Sequence, residues 1–155
     1  MNDEPKRPIG WNKREFTIKP IPTVYQHFSF RSRLEARWAV AFNEKGLPWN
    51  YETEGYEVAA GVWYLPDFII RDEPPLHVEV KHKNDDDLSA MEKMGLLVTG
   101  LKEPGVIVYG DPYEHYAVLF TPSDDLPIGY VRHIVNFNNL KDWKPAAIKA
   151  RQATF

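Results

Sequence analysis

Apolar positions first fall into a helical rhythm at Phe30, Leu34, Trp38, Ala41 and Phe42. Spacings of three and four place them on one stripe, so 28–42 is expected to be an amphipathic helix with that stripe buried. Gly46 and Pro48 end it. The rhythm then changes to short apolar or alternating runs at 50–58, 62–70 and 76–82, which read as strands. Ala-Ala-Gly at 59–61 and Asp-Glu-Pro-Pro at 72–75 separate them as turns. Connections this short favour antiparallel neighbours, a meander. Asp85, Asp86 and Asp87 then supply negative charge where it favours the start of a second helix, 88–101, which Pro104-Gly105 breaks. A wholly apolar strand at 106–109 follows, then another at 116–121, a further strand near 130–137 and a short basic helix near 145–152. The helix between the third and fourth strands allows a crossover, so the sheet is expected to be mixed. Pro5, Pro8, Pro20 and Pro22 make the first 25 residues an extended arm. The pattern predicts an α/β fold: a central sheet with one helix before it and one in the crossover.

Length and composition narrow this further. The 155 residues suit one domain, divided into an arm (1–25), a core (28–121) and a basic C-terminal segment (130–155). With 43% hydrophobic and 14% aromatic residues, the chain is too rich in core-forming side chains for a disordered protein. Cysteine is absent, which excludes disulfide scaffolds, thiol catalysis and cysteine-ligated zinc. No run of ~18 apolar residues marks a membrane span, and MNDEPKRPIG leads into no apolar stretch, so no secretory leader is expected.

The net charge of −3 hides a partition. Residues 1–50 sum to +4, 51–130 to −11, and 131–155 to +4. A basic–acidic–basic chain suits a surface that holds phosphates around an acidic, cation-binding centre; solvated charge placed without function gives the same pattern.

No phosphate-binding glycine loop, nucleophile elbow or His-Glu-x-x-His site is present. The five histidines (27, 77, 82, 115, 133) show no ligand spacing. One constellation stands out. Tyr64-Leu65-Pro66-Asp67-Phe68 ends the second strand region, and Val78-Glu79-Val80-Lys81 lies in the third. One tight turn separates them, so adjacent strands bring Asp67 and Glu79 together. Glu79 and Lys81, two apart in a strand, share a face, while Val78 and Val80 point to the core. Hard oxygen donors suit Mg²⁺, and an adjacent lysine can orient a water. A cross-strand salt bridge on a solvated face would use the same residues.

With eleven residues between Asp67 and Glu79, Pro-Asp followed by Glu-x-Lys in an apolar strand resembles the PD-(D/E)XK nuclease superfamily. Ser32-Arg33-Leu34-Glu35-Ala36-Arg37-Trp38 resembles the first-helix glutamate motif of several of its branches. These are transposon-end endonucleases of the TnsA kind, very-short-patch repair endonucleases and small phage-encoded nucleases. The order of that helix, Tyr51-Glu52-Thr53-Glu54, Tyr64-Leu65-Pro66-Asp67-Phe68 and Val78-Glu79-Val80-Lys81 is most similar to the phage proteins. The likeness spans about 28–110. It implies a restriction-endonuclease-like fold and a Mg²⁺- or Mn²⁺-dependent deoxyribonuclease, endonuclease rather than exonuclease, at work in a bacterial host cytoplasm. Asp67 and Glu79 would hold the ion, with the Val80 carbonyl as a third ligand. Lys81 would position the attacking water, and Glu35 would complete the acidic cluster. Ser32-x-x-Glu35 is also a capping box, a rival role for Glu35. Glu52 and Glu54 are weaker candidates, since alternating glutamates usually mark a solvated face.

Around the site, Arg31, Arg33, Arg37 and Lys83 are the expected DNA-phosphate contacts. Lys141, Lys144, Lys149 and Arg151 add a basic C-terminal segment, and Trp11 and Trp143 are candidates for stacking on bases. DNA is the expected partner, with a homodimer or a larger nucleoprotein assembly as the setting. Two other readings stay open. One is a catalytically idle member of the same fold that binds DNA or protein. The other is a glycosidase-like acid/base pair, which Lys81 disfavours because a neighbouring cation holds a carboxylate ionised.

Overall fold

The computed structural model describes residues 23–25 and 28–155. Strands β1 (Thr23–Tyr25) and β2 (Phe28–Phe30) form an antiparallel pair before helix α1 (Arg33–Glu44). There follow β3 (Trp49–Tyr51), β4 (Tyr56–Ala59), β5 (Val62–Tyr64), β6 (Phe68–Ile70) and β7 (Leu76–Lys81). Helix α2 (Ser89–Leu101) leads into β8 (Gly105–Gly110), β9 (His115–Pro122), β10 (Tyr130–Val135) and helix α3 (Trp143–Gln152). The main sheet has six strands in the order β10-β9-β8-β7-β6-β3, and β4 and β5 make a separate hairpin. Within the main sheet β7 and β8 pair in parallel across the α2 crossover, and the other neighbours are antiparallel. The fold is therefore α/β with a mixed sheet, as the sequence pattern predicts. Among the described residues no helix is long and apolar enough to cross a membrane.

Three departures have local causes. The first helix starts at Arg33 and not at 28, because Ser32 is extended (φ −152°, ψ 158°) and caps it by accepting a hydrogen bond from the Glu35 N–H. Phe30 is consequently buried from a strand, with its ring 4.6 Å from that of Tyr51. The run 50–58 breaks in two at Glu52, whose backbone is left-handed (φ 46°). The run 62–70 breaks at Leu65-Pro66, where proline has no N–H to continue a ladder. The expected three-strand meander thus becomes β3-β6-β7, with the β4–β5 hairpin packed separately beneath α2. Trp11 and nearly all of the 1–25 arm lie outside the described residues.

The two faces of the sheet carry separate cores. On one face α1 and α3 pack Trp38, Phe42, Trp143 and Ala147 against Val78, Val80, Val106 and Val108. On the other, α2 packs Met94, Leu97 and Val98 against Ile107, Val118 and Phe120. The two-residue alternation of β7 sends Val78 and Val80 into the first core and leaves His77, Glu79 and Lys81 on the second face.

The β8–β9 turn depends on one glycine. Gly110 has φ 106°, and a Cβ there would lie 2.4 Å from the Glu114 carbonyl oxygen. Gly110→Ala is expected to destabilise by about 2–3 kcal/mol, since backbone strain adds to a clash with backbone that cannot yield. Gly46→Ala, at φ 71° with nothing within 4 Å, should lose only about 1 kcal/mol. Urea denaturation of both variants checks the ordering.

Candidate active site

The break at Pro66 positions the central carboxylate. The β6–β7 ladder runs only as far as Phe68↔Val78. Beyond it the strands diverge, and the Asp67 side chain bridges the gap: its Oδ2 accepts the Val80 N–H at 2.7 Å. The Glu52 N–H donates to the Asp67 carbonyl at 2.9 Å, which ties the left-handed turn after β3 to the same point. Asp67 is almost wholly buried.

Glu79 and Lys81 reach the site from β7. The Tyr64 hydroxyl donates to Glu79 Oε1 at 3.2 Å, and Lys81 Nζ lies 3.6 Å from Glu79 Oε2. Glu35 enters from the first turn of α1. Only half of the capping box forms: Ser32 Oγ accepts the Glu35 N–H, while the Glu35 carboxylate receives hydroxyl donors from Tyr51 and Ser32, both at 3.3 Å. The cap is thus supplied by the Ser32 side chain, and the Glu35 carboxylate faces the cluster.

Arg31 binds the cluster together. Its Nη2 donates to Asp67 Oδ1 at 2.9 Å, pairs with Glu52, and lies 3.8 Å from Glu35 Oε2. The electrostatics follow from this crowding. Burial first, then the charge of Asp67, push the Glu35 carboxyl up to about 9, with Arg31 opposing. Burial and Asp67 likewise push Glu79 up to about 8, against Lys81 and Arg31. For Lys81, burial works against the charge but Glu79 and Asp67 outweigh it, and the ammonium is held more firmly than usual. Arg31 follows the same logic, with Asp67, Glu52 and Glu35 overcoming desolvation. With all four carboxylates ionised the cluster would be short of positive charge, and the protons that Glu35 and Glu79 retain offset that shortage.

All four expected catalytic side chains, Glu35, Asp67, Glu79 and Lys81, therefore lie in one electrostatic neighbourhood. Val80 meets it through its backbone N–H, with its side chain in the α1 core. The basic residues divide. Arg31 is inside the cluster, whereas Arg33 and Lys83 are exposed, the latter 3.4 Å from Glu114. Arg37 is spent elsewhere, donating to the Ala150 and Arg151 carbonyls at the end of α3. Trp143 does not stack on anything outside the protein: it is 1% exposed and donates to the Pro112 carbonyl. On α3, Lys144 and Arg151 lie over the Tyr113 ring.

Sequence reasoning placed Glu52 with Glu54 on a solvated face. The left-handed backbone at Glu52 separates them: Glu52 joins the cluster, while Glu54 is exposed and accepts from the Tyr56 hydroxyl. Tyr51 and Tyr64, which orient Glu35 and Glu79, carried only one signal, their place in the Tyr-Glu and Tyr-x-Pro-Asp segments.

The donor chemistry fits a hard divalent cation, because buried carboxylates with raised pKa lack a compensating charge. Asp67, Glu79 and Glu35 are the groups that would hold one. Among the described residues no three such groups are already arranged around a single metal position; Arg31 takes the shared place. No protein-family model and no curated protein matches this chain.

Proposed function

We propose that the protein is a metal-dependent nuclease that hydrolyses DNA phosphodiester bonds, built on a restriction-endonuclease-like version of the α/β fold. The observation that carries this reading is the junction of Asp67 and Glu79, from two diverging strands, with the charged Lys81 alongside. A Mg²⁺ or Mn²⁺ ion, when bound, supplies Lewis acidity and charge stabilisation for an in-line displacement. The chain's own residues do the rest. The Val80 N–H and Tyr64 hydroxyl fix the orientation of Asp67 and Glu79 before any ligand arrives. Lys81 holds its proton firmly, so it acts as a donor that orients a water and meets developing negative charge, not as a base. Arg31 offsets part of the carboxylate charge and can donate to a phosphate oxygen in exchange. Exposed Arg33 and Lys83 supply further phosphate contacts.

A second reading draws on Arg31 itself. A guanidinium that already satisfies Asp67 and Glu52 suits a catalytically idle, DNA- or protein-binding member of the same fold. One assay separates the two: supercoiled, linear and branched DNA incubated with Mg²⁺, Mn²⁺ or chelator. The nuclease reading expects cutting with either metal and none with chelator. Binding without cutting under every condition favours the idle reading, and neither binding nor cutting sinks both.

A further inference from the structure

The face of the sheet that bears Glu79 carries a second feature, one cross-strand row wide. Lys81 of β7 pairs with Tyr109 of β8, which pairs with Tyr116 of β9. Tyr109 is buried, and its ring stacks on that of Tyr116 with centroids 4.7 Å apart and planes 10° from parallel. Tyr116 is the outer ring and is 39% exposed. Extending the ladder one step would set Asn136 across from it, but pairing of β10 stops at Val135↔Ala117. Asn136 instead turns to the backbone, donating from Nδ2 to the His115 carbonyl and accepting the Asn138 N–H on Oδ1. Among the described residues, β10 therefore sets no side chain directly across from Tyr116. Helix α2 leaves this end open as well. Gly95 lies against Tyr130, and Met91 meets Arg132; Leu88, one turn earlier, is exposed, as is Ile134 on β10.

We propose that Tyr116, backed by Tyr109, is a stacking platform for one unpaired nucleobase of the strand whose backbone lies at the Asp67–Glu79–Lys81 cluster. Two strand spacings, roughly 10 Å, separate the Lys81 and Tyr116 positions of the row. Inside a duplex both faces of a base are covered by its neighbours, so only an unstacked base can use an open aromatic face. The preferred substrate is then a single strand, or a duplex with a single-stranded arm at the site. This inference rests on the nuclease reading for the identity of what lies at the cluster. Continuity with that cluster along one row favours a nucleic-acid occupant over a second copy of the chain.

The test measures binding with the full chain in chelator, by fluorescence anisotropy with labelled oligo-dT and with a labelled hairpin duplex. Tyr116→Ala is expected to weaken oligo-dT binding by roughly 5- to 150-fold, the range that loss of one base–aromatic stack gives. Duplex binding should change less than about twofold, and Tyr116→Phe should restore oligo-dT binding, which a merely structural role for the phenol would not. Equal oligo-dT binding by wild type and Tyr116→Ala overturns the proposal. So does a wild-type dimer in sedimentation that Tyr116→Ala dissociates, since the occupant is then another copy. Metal-dependent cutting with no effect of Tyr116→Ala on oligo-dT removes the platform and leaves the nuclease. Tyr116-dependent binding without cutting in any metal keeps the platform and removes the nuclease.

Discussion

Glu79→Gln is expected to abolish metal-dependent cleavage, with a loss of roughly 10²–10³-fold or more, the range seen when one preorganised electrostatic contact is removed. The same substitution should leave the metal-free protein better able to withstand alkaline pH. Glu79 is raised to about 8 in the folded state by burial and Asp67, above its value in an unfolded chain. The folded protein thus binds the proton more tightly than the unfolded one. That contribution is complete below the unfolded carboxylate range and is lost as pH rises through about 8. Glu35, raised to about 9, acts in the same direction. Metal-free wild type should therefore lose Tm from pH 5 towards pH 9, and Glu79→Gln should show a shallower slope because glutamine has no charge to bury. Loss of cleavage together with a steeper slope would mean that Glu79 serves the fold more than the site. Asp67→Asn should also abolish cleavage, but with lower stability, because Arg31 loses the charge at 2.9 Å. Opposite stability effects from two equally inactive variants separate a carboxylate that repels from one that is paired.

Trp38→Ala should cost about 3–5 kcal/mol, the range for emptying a fully buried large aromatic. The indole is fully buried among Phe42, His115, Phe137 and Trp143, with ring centroids 5.2–5.9 Å away. Its Nε1–H donates to the Gly110 carbonyl at 2.9 Å and so fastens α1 to the end of β8. Against a total of ~5–15 kcal/mol for a domain, such a loss leaves little margin. Trp38→Phe retains most ring contacts but orphans the Gly110 carbonyl, which costs about 1–3 kcal/mol. Urea denaturation with near-UV circular dichroism ranks the three proteins. A Trp38→Ala loss under about 2 kcal/mol would show that its neighbours collapse into the space.

The candidate site was legible where periodicity and chemistry pointed the same way. A two-residue period in β7 is enough to put Glu79 and Lys81 on one face and Val78 and Val80 on the other, and the single turn before it brings Asp67 alongside. What escaped depends on backbone angles and tertiary pairing. The left-handed turn at Glu52 breaks the alternation that made it look solvated, and alternation cannot reveal a break in itself. Arg31 carries the same side chain as Arg33 and Arg37, yet one is half-buried among carboxylates, one is exposed and one binds helix carbonyls. Only the helix start at Ser32 and the docking of α3 distinguish them. Phe30 fitted the helical stripe because a buried strand position immediately before a helix occupies the same spacing. For the same reason Trp143 could be read as a surface aromatic: a tryptophan among lysines gives no sign that a neighbouring helix and a turn enclose it.

The grip of Arg37 on α3 bears on how this chain can be dissected. The segment rich in lysine looks from its charge like a detachable tail for nucleic acid, and deleting such a tail is the ordinary way to ask whether it binds. Here the deletion would strip Trp143, Ala147 and Ala150 from the core shared with α1 and leave Arg37 without the carbonyls it holds. The helix that presents Glu35 would lose its backing, and a failed binding assay would report a collapsed scaffold. Charge reversal at exposed Lys144 and Lys149 tests the segment without removing its structural half.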